Sequence, residues 1–325
     1  MPNNSNWLPN TGELNLWQLK ILLACLNCEA KQHPAGNVHH YGEARADSMN
    51  RRSFFSQALG ALCLAGRGAA KPTPSERRLT KIGLQLYTVR RELATDFDGT
   101  LAKVAALGFR AVEFAGYHER APGEVRAALV RQRLAAPSAH VTTAALRGQL
   151  RETIEAAKVI GHEYLVCGYV PAEERRSLDD YERLADLLNR SGEQTKKSGI
   201  QFCYHNHDFE FERVGGEIPY DLLLARTDAR LVRMELDLYW ITKAGHDPLG
   251  YFSKHRGRFP LVHVKDMDGT PRRFFTEAGR GVIDFRRIFA AASGVEHYFV
   301  EQDETPASPF ESIRVSMDYL KRLRF

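Results

Sequence analysis

Four strand-like runs in the second half of the chain carry imidazoles, carboxylates and a lysine on one parity. They are IQFCYHNHDFEF (200–211), VRMELDLYWI (232–241), FPLVHVKDMD (259–268) and HYFVEQDE (297–304). One parity is apolar and includes Phe202, Met234, Leu236, Val262, Val264, Tyr298 and Val300. The other holds His205, His207, Glu235, Asp237, His263, Lys265, Glu301 and Asp303. A strand alternates faces with period two, so the polar set points one way. Such groups are costly to bury unless they bind a metal, pair, or do chemistry. Asp237, His263 and Glu301 are the leading metal candidates, with His205 as the expected fourth ligand. This mixed set lacks the thiolates of a structural zinc site and suits one divalent ion: Mn²⁺, Mg²⁺, Co²⁺ or Zn²⁺. Glu235 and His207 stay open between contacting a substrate and orienting a ligand. Glu113 and His140, at the ends of two earlier strands, are expected to complete a substrate cup. For Glu113, pairing with Arg or Lys is the competing role.

These side chains need a frame that brings several strand ends together. Earlier strands are expected at 82–89, 111–117, 135–143 and 164–169. Helices are expected at about 98–107, 123–134, to Ile160 after the third strand, and 178–198, three of them closed by Gly108, Gly161 and Gly199. Asp247-Pro248, Asp284 and Ser308-Pro309 read as helix starts in the second half. Strands alternating with helices imply a parallel sheet. Eight pairs in about 250 residues favour a closed (β/α)8 TIM barrel, with the site at the C-terminal strand ends. The apolar stretches before those ends are expected to fill the barrel bottom. A doubly wound open sheet normally shows a Gly-rich phosphate loop after its first strand, and Tyr87-Thr-Val-Arg-Arg is not one.

Of 325 residues, 43% are hydrophobic and 26% charged, ordinary for a soluble globular protein. The net charge is +5, and residues 1–70 contribute six Lys/Arg and four Asp/Glu. The remainder lacks the concentrated basic stripe of a nucleic-acid binder, so no nucleic-acid partner is expected. Residues 49–70, MNRRSFFSQALGALCLAGRGAA, read as a twin-arginine export signal: Arg51-Arg52, a short apolar run, then small residues. Met49 is the expected start, residues 1–48 an upstream extension, 71–80 a linker and 81–325 the barrel. The protein is then periplasmic or exported; with residues 1–48 translated it is cytoplasmic. Cys25 and Cys28 form a lone CxxC, weak evidence for metal or redox work. After processing, Cys167 and Cys203 remain, as buried thiols or as a disulfide. No apolar run reaches the roughly 18–20 residues of a membrane span.

From about Lys81 to Leu323 the chain resembles the sugar phosphate isomerase/epimerase family, with its xylose isomerase-like TIM barrel. The motifs are Gly83-Leu-Gln-Leu-Tyr-Thr-Val, Tyr204-His-Asn-His-Asp-Phe-Glu, Glu235-Leu-Asp-Leu-Tyr-Trp, His263-Val-Lys-Asp-Met-Asp and Val300-Glu-Gln-Asp-Glu. The resemblance implies a divalent metal on Glu, Asp, His and Glu. Asp237, His263 and Glu301 match the last three positions, and His205 stands at the first. Family epimerases use two glutamates on opposite faces of the sugar, and the His205 departure leaves Glu301 as the base.

The leading expectation is a metal-dependent isomerase or epimerase, moving a proton beside a sugar carbonyl through a metal-stabilised enediolate. Glu301 removes the proton, Lys265 stabilises the oxyanion, protonates a leaving oxygen or only salt-bridges Asp237 or Glu235, and His207 returns the proton. The partner is a small-molecule carbohydrate, and export favours an unphosphorylated one. A lyase or hydratase acting on inososes or 3-oxo-glycosides is the first alternative, and a non-catalytic sugar-binding barrel another. An apurinic endonuclease-like enzyme shares the barrel but needs a basic groove. Glu277-Ala-Gly-Arg-Gly reads as a turn, or as a loop that closes Arg280 over substrate. Barrels of this type often associate, so an oligomer is left open.

Overall fold

The computed structural model describes residues 77–305 and 308–325. The expected extension, the export signal and most of the linker lie outside them. Eight parallel strands are β1 (Ile82–Gln85), β2 (Ala111–Phe114), β3 (Ala135–Thr142), β4 (Tyr164–Tyr169), β5 (Gln201–His205), β6 (Val232–Asp237), β7 (Leu261–Val264) and β10 (His297–Val300). They close into a barrel in the order β1-β10-β7-β6-β5-β4-β3-β2. A small antiparallel pair, β8 (Asp266–Met267) and β9 (Phe275–Thr276), sits between β7 and β10.

The apolar parity does not fill the barrel bottom. Phe202, Met234, Leu236, Val262 and Val264 belong to the large core shared with the helices. A separate small cluster of Ala111, Tyr164, Val166, Cys203, Leu261 and Phe299 lies inside the barrel. A parallel barrel is covered on both faces, so the outward parity is as buried as the inward one. Cys167 packs with the outer core and Cys203 with the inner cluster. They are on opposite faces of the sheet, and both are free thiols.

Several strands end earlier than their sequence patterning suggests, and each time a polar side chain takes a backbone N–H. Gln85 Oε1 accepts from Tyr87 N at 3.0 Å, which turns Leu86–Val89 into a 3-10 turn. Asp237 Oδ1 accepts from Trp240 N at 2.8 Å and caps the helix Leu238–Lys243. Glu210 Oε2 accepts from His207 N at 2.7 Å and ends the β5 run. The single helix expected up to Ile160 is two, Thr143–Gly148 and Leu150–Ile160, broken at Gln149. Asp247 and Asp284 cap their helices through side-chain oxygens, whereas Ser308 makes no side-chain cap bond.

Candidate metal centre

The inward polar residues stack in layers at the C-terminal end of the barrel. Lowest are Glu113 on β2 and Glu235 on β6, both fully buried. Above them lie the rings of His140, His205 and His263, with centroids 4.5–5.3 Å apart. Above these stand Asp237, Glu301, Lys265 and Asp303. No surface of Glu113 or Glu235 is exposed, and imidazoles cover them, so of the two roles open to Glu235 these contacts match the orienting of a ligand. Nor does Glu113 take the competing Arg or Lys partner. Gln85 Nε2 donates to its Oε2 at 2.7 Å, and His263 Nε2 lies 2.7 Å from the same oxygen. His140 is half-buried, with Nε2 2.7 Å from Glu235 Oε2 and 3.2 Å from Glu113 Oε2, so its ring also faces down rather than into a cup.

The carboxylates beneath fix which ring nitrogen is free. His205 Nδ1 lies 3.0 Å from Glu235 Oε2, so it carries the proton and Nε2 keeps its lone pair toward Asp237 Oδ2, 3.9 Å away. His263 Nε2 faces Glu113 Oε2 at 2.7 Å and Glu235 Oε2 at 3.1 Å. Its Nδ1 lies 2.9 Å from Glu301 Oε2 and 3.7 Å from Asp237 Oδ2; carboxylates on both ring nitrogens hold this imidazole protonated against burial, its pKa well above the ordinary value, so a metal would take Nδ1 by displacing a proton. Asp237 spends Oδ1 on its helix cap, and the buried Oδ2 is met by the Lys265 ammonium at 3.1 Å without an aligned hydrogen bond. His205 Nε2, His263 Nδ1 and two carboxylates therefore converge, a donor set that fits a divalent ion once the His263 proton is displaced. Asp237, His263 and Glu301 have ligand atoms within 4.8 Å of one another. A second grouping, His140, His205, Glu235 and His263, meets the same distance test. In it the ring nitrogens are the protonated ones, so it is a hydrogen-bonded support rather than a second ion site.

Lys265 is buried, and its Nζ reaches three carboxylates: Glu301 Oε2 at 2.6 Å, Asp303 Oδ2 at 2.8 Å and Asp237 Oδ2 at 3.1 Å. Burial favours its neutral form, but Asp237, Asp303 and Glu301 outweigh burial and push its pKa well above the ordinary value. Burial raises Asp237 to about 6 despite Lys265 and His263. In Glu301 the same two cations overcome burial and hold the carboxyl low. Burial is also outweighed at His140, raised to about 10 by Glu113 and Glu235. His207 is kept neutral by burial. Its ring packs edge-on against His205 at 5.1 Å and belongs to an aromatic wall, with Phe209 stacked at 5.2 Å, Tyr169 at 5.4 Å and Trp240 at 5.4 Å. Trp240 and Phe275 lie over Lys265, 5.5 and 6.0 Å from Nζ.

Two supporting groups are hard to find from pattern alone. Gln85 looks like an ordinary strand residue, and only the fold brings it to Glu113. Asp266 carries a signal, an acidic residue on the apolar parity of β7. It faces away from the barrel and accepts backbone N–H bonds from Met267, Gly279, Gly281 and Ile283 at 2.8–3.0 Å. The Glu277–Gly281 loop is thereby pinned, and Arg280 at its tip is exposed and pairs with Glu277 at 3.4 Å. Among the described residues no helix is long and apolar enough to cross a membrane.

A family model described as xylose isomerase-like TIM barrel matches residues 101–323. An inosose dehydratase of Lacticaseibacillus casei is 31% identical over 163 residues, 44% of this chain and 54% of that protein. The chain thus spans about half the length of that relative. An inosose dehydratase of Bacillus thuringiensis (strain Al Hakam) is 26% identical over 266 residues, 69% of this chain and 89% of that protein. Among solved structures, a sugar phosphate isomerase/epimerase from Parabacteroides distasonis ATCC 8503 aligns with a TM-score of 0.65 at 26% identity, covering 79% of this chain and 97% of that one.

Proposed function

Because the chain belongs to the xylose isomerase-like TIM-barrel family, we propose that it is a divalent-metal-dependent lyase acting on a cyclic sugar or polyol ketone. It removes the proton beside the carbonyl and expels the hydroxyl of the next carbon as water, as the name inosose dehydratase describes for its relatives. The ion would be held by His205, Asp237, His263 and Glu301, and would supply a Lewis acid for the carbonyl oxygen.

The observation that carries this reading is the buried Lys265 ammonium beside Glu301, at 2.6 Å. Acid and base stand side by side. Glu301 takes the carbon-bound proton, and the C–H electron pair forms the new double bond as the neighbouring C–O bond breaks. Lys265, held charged by three carboxylates, donates to the departing oxygen. A two-base epimerase needs a second carboxylate on β5. His205 stands there instead, with Nδ1 committed to Glu235, which favours elimination over proton return from the opposite face. The aromatic wall of Tyr169, His207, Phe209 and Trp240 suits the apolar face of a ring and excludes water. The twin-arginine pattern of residues 49–70 supports an unphosphorylated substrate met outside the cytoplasm.

Isomerisation or epimerisation is the second reading, favoured by the Parabacteroides distasonis neighbour. The separating experiment incubates metal-loaded protein with an inosose and with 3-oxo-glycosides in D2O. Loss of water or aglycone, abolished in Glu301→Gln, is expected. Deuterated epimers without loss of a substituent would overturn the lyase and leave the isomerase. No turnover on any keto sugar favours a binding protein.

A further inference from the structure

We propose that Asp303 is the counter-ion that lets the Lys265 ammonium and a divalent cation coexist on Asp237 and Glu301, making it a positioning residue for both. The inference rests on the metal-dependent reading above. Lys265 touches Glu301 Oε2 and Asp237 Oδ2 at 2.6 and 3.1 Å. These same oxygens face Nδ1 of His263 at 2.9 and 3.7 Å. A cation that takes them as ligands competes with the ammonium for their lone pairs and repels its charge. A lysine 1% exposed has no water to retreat into, so it needs another carboxylate.

Asp303 meets that need. Its Oδ2 accepts a hydrogen bond from Lys265 Nζ at 2.8 Å. It stands two residues beyond Glu301, past the end of β10, the strand that pairs with β7. It belongs to neither grouping of metal-type ligand atoms. Its side chain is 19% exposed, against 0% and 6% for Asp237 and Glu301, so it lies nearest the mouth. Without it, the ammonium is confined to the two ligand carboxylates and opposes the metal.

The test measures Mn²⁺ and Zn²⁺ affinity of the full chain by competition with a fluorescent chelator. Wild type is compared with Asp303→Asn, Asp303→Glu, Lys265→Met and the Asp303→Asn/Lys265→Met double variant. Asp303→Asn is expected to weaken binding about tenfold, the lower end of what outer partners of a metal site contribute. Asp303→Glu keeps the charge and retains most of the affinity. Lys265→Met binds at least as tightly as wild type, and adding Asp303→Asn to it changes affinity by less than about twofold, a coupling that a structural role would not produce. Wild-type affinity in Asp303→Asn, equal losses in the Asn and Glu variants, or a loss that persists without Lys265 would each overturn the inference alone. A wild type that binds no divalent ion takes down the metal-dependent reading and this inference together.

Discussion

Replacing Asp266 with Asn tests what holds the Glu277–Gly281 loop. The carboxylate accepts two backbone N–H groups on each oxygen: Met267 and Ile283 on Oδ1, Gly279 and Gly281 on Oδ2. An asparagine offers one carbonyl and turns its NH2 toward the other two donors. Two charge-assisted bonds are lost, at about 1.5–3 kcal/mol each, so the gross cost is about 3–6 kcal/mol. The loop can open by itself, so the cost appears first as local opening. A loss of about 3 kcal/mol corresponds to roughly a hundredfold faster amide exchange at Gly279 and Gly281. Hydrogen exchange followed by NMR reads those amides directly. Gly281→Ala should act in the same direction, because its Cβ would sit 2.2 Å from Met267 O and 2.3 Å from Asp266 Oδ1. Wild-type exchange rates in Asp266→Asn would refute the reasoning, since the carboxylate would then not be what pins the loop.

Burial raises Glu210 to about 7, from 4.5, against its bonds to Tyr204 Oη and His207 N. The folded protein therefore keeps a proton that the unfolded chain releases between those values. This stabilisation is full below pH 4.5 and is lost as pH rises through about 7, on the order of 3 kcal/mol. Glu210→Gln should flatten that part of the Tm–pH curve relative to wild type, and parallel curves would count against it. Gly168→Ala would put a Cβ 2.4 Å from His140 Nδ1. It should tilt that ring off Glu113 and Glu235 and weaken metal binding about tenfold; unchanged affinity in a chelator competition would remove His140 from the support. Divalent metal at a hundredfold over its Kd should add about 2.7 kcal/mol to stability, so EDTA should lower Tm. A Tm indifferent to metal and chelator would contradict the centre.

Much of the site was legible because polar residues recur at period two across four strand runs. That periodicity correctly set His205, Asp237, His263 and Glu301 on one parity. It could not give depth along the barrel axis. Glu235 and Asp237 are two residues apart on one face, yet one lies beneath the imidazoles and the other beside their upper nitrogens. Strand ends were overrun for a related reason. Alternation continues through Tyr87, His207 and Trp240, but Gln85, Glu210 and Asp237 capture backbone N–H groups there. A side-chain cap is a local hydrogen bond that competes with the ladder, and hydropathy does not register it. Alternation also does not tell inside from outside, because both faces of a barrel strand are buried.

The layering also explains why one histidine changes the chemistry the site favours. A glutamate at position 205 would face Glu235, which already lies 3.0 Å from that side chain. Two unit charges 4 Å apart repel by about 4 kcal/mol at an effective dielectric of 20. With Glu235 beneath β5, an imidazole is the group that can both satisfy the lower carboxylate and offer a lone pair above. The price is a proton acceptor on that side of the substrate. Glu301 and Asp303 then remain on the β10 side, clustered around the only buried lysine among the described residues. On the proposed elimination, base and acid would thus share one flank, the arrangement a proton loss coupled to departure of the adjacent oxygen requires.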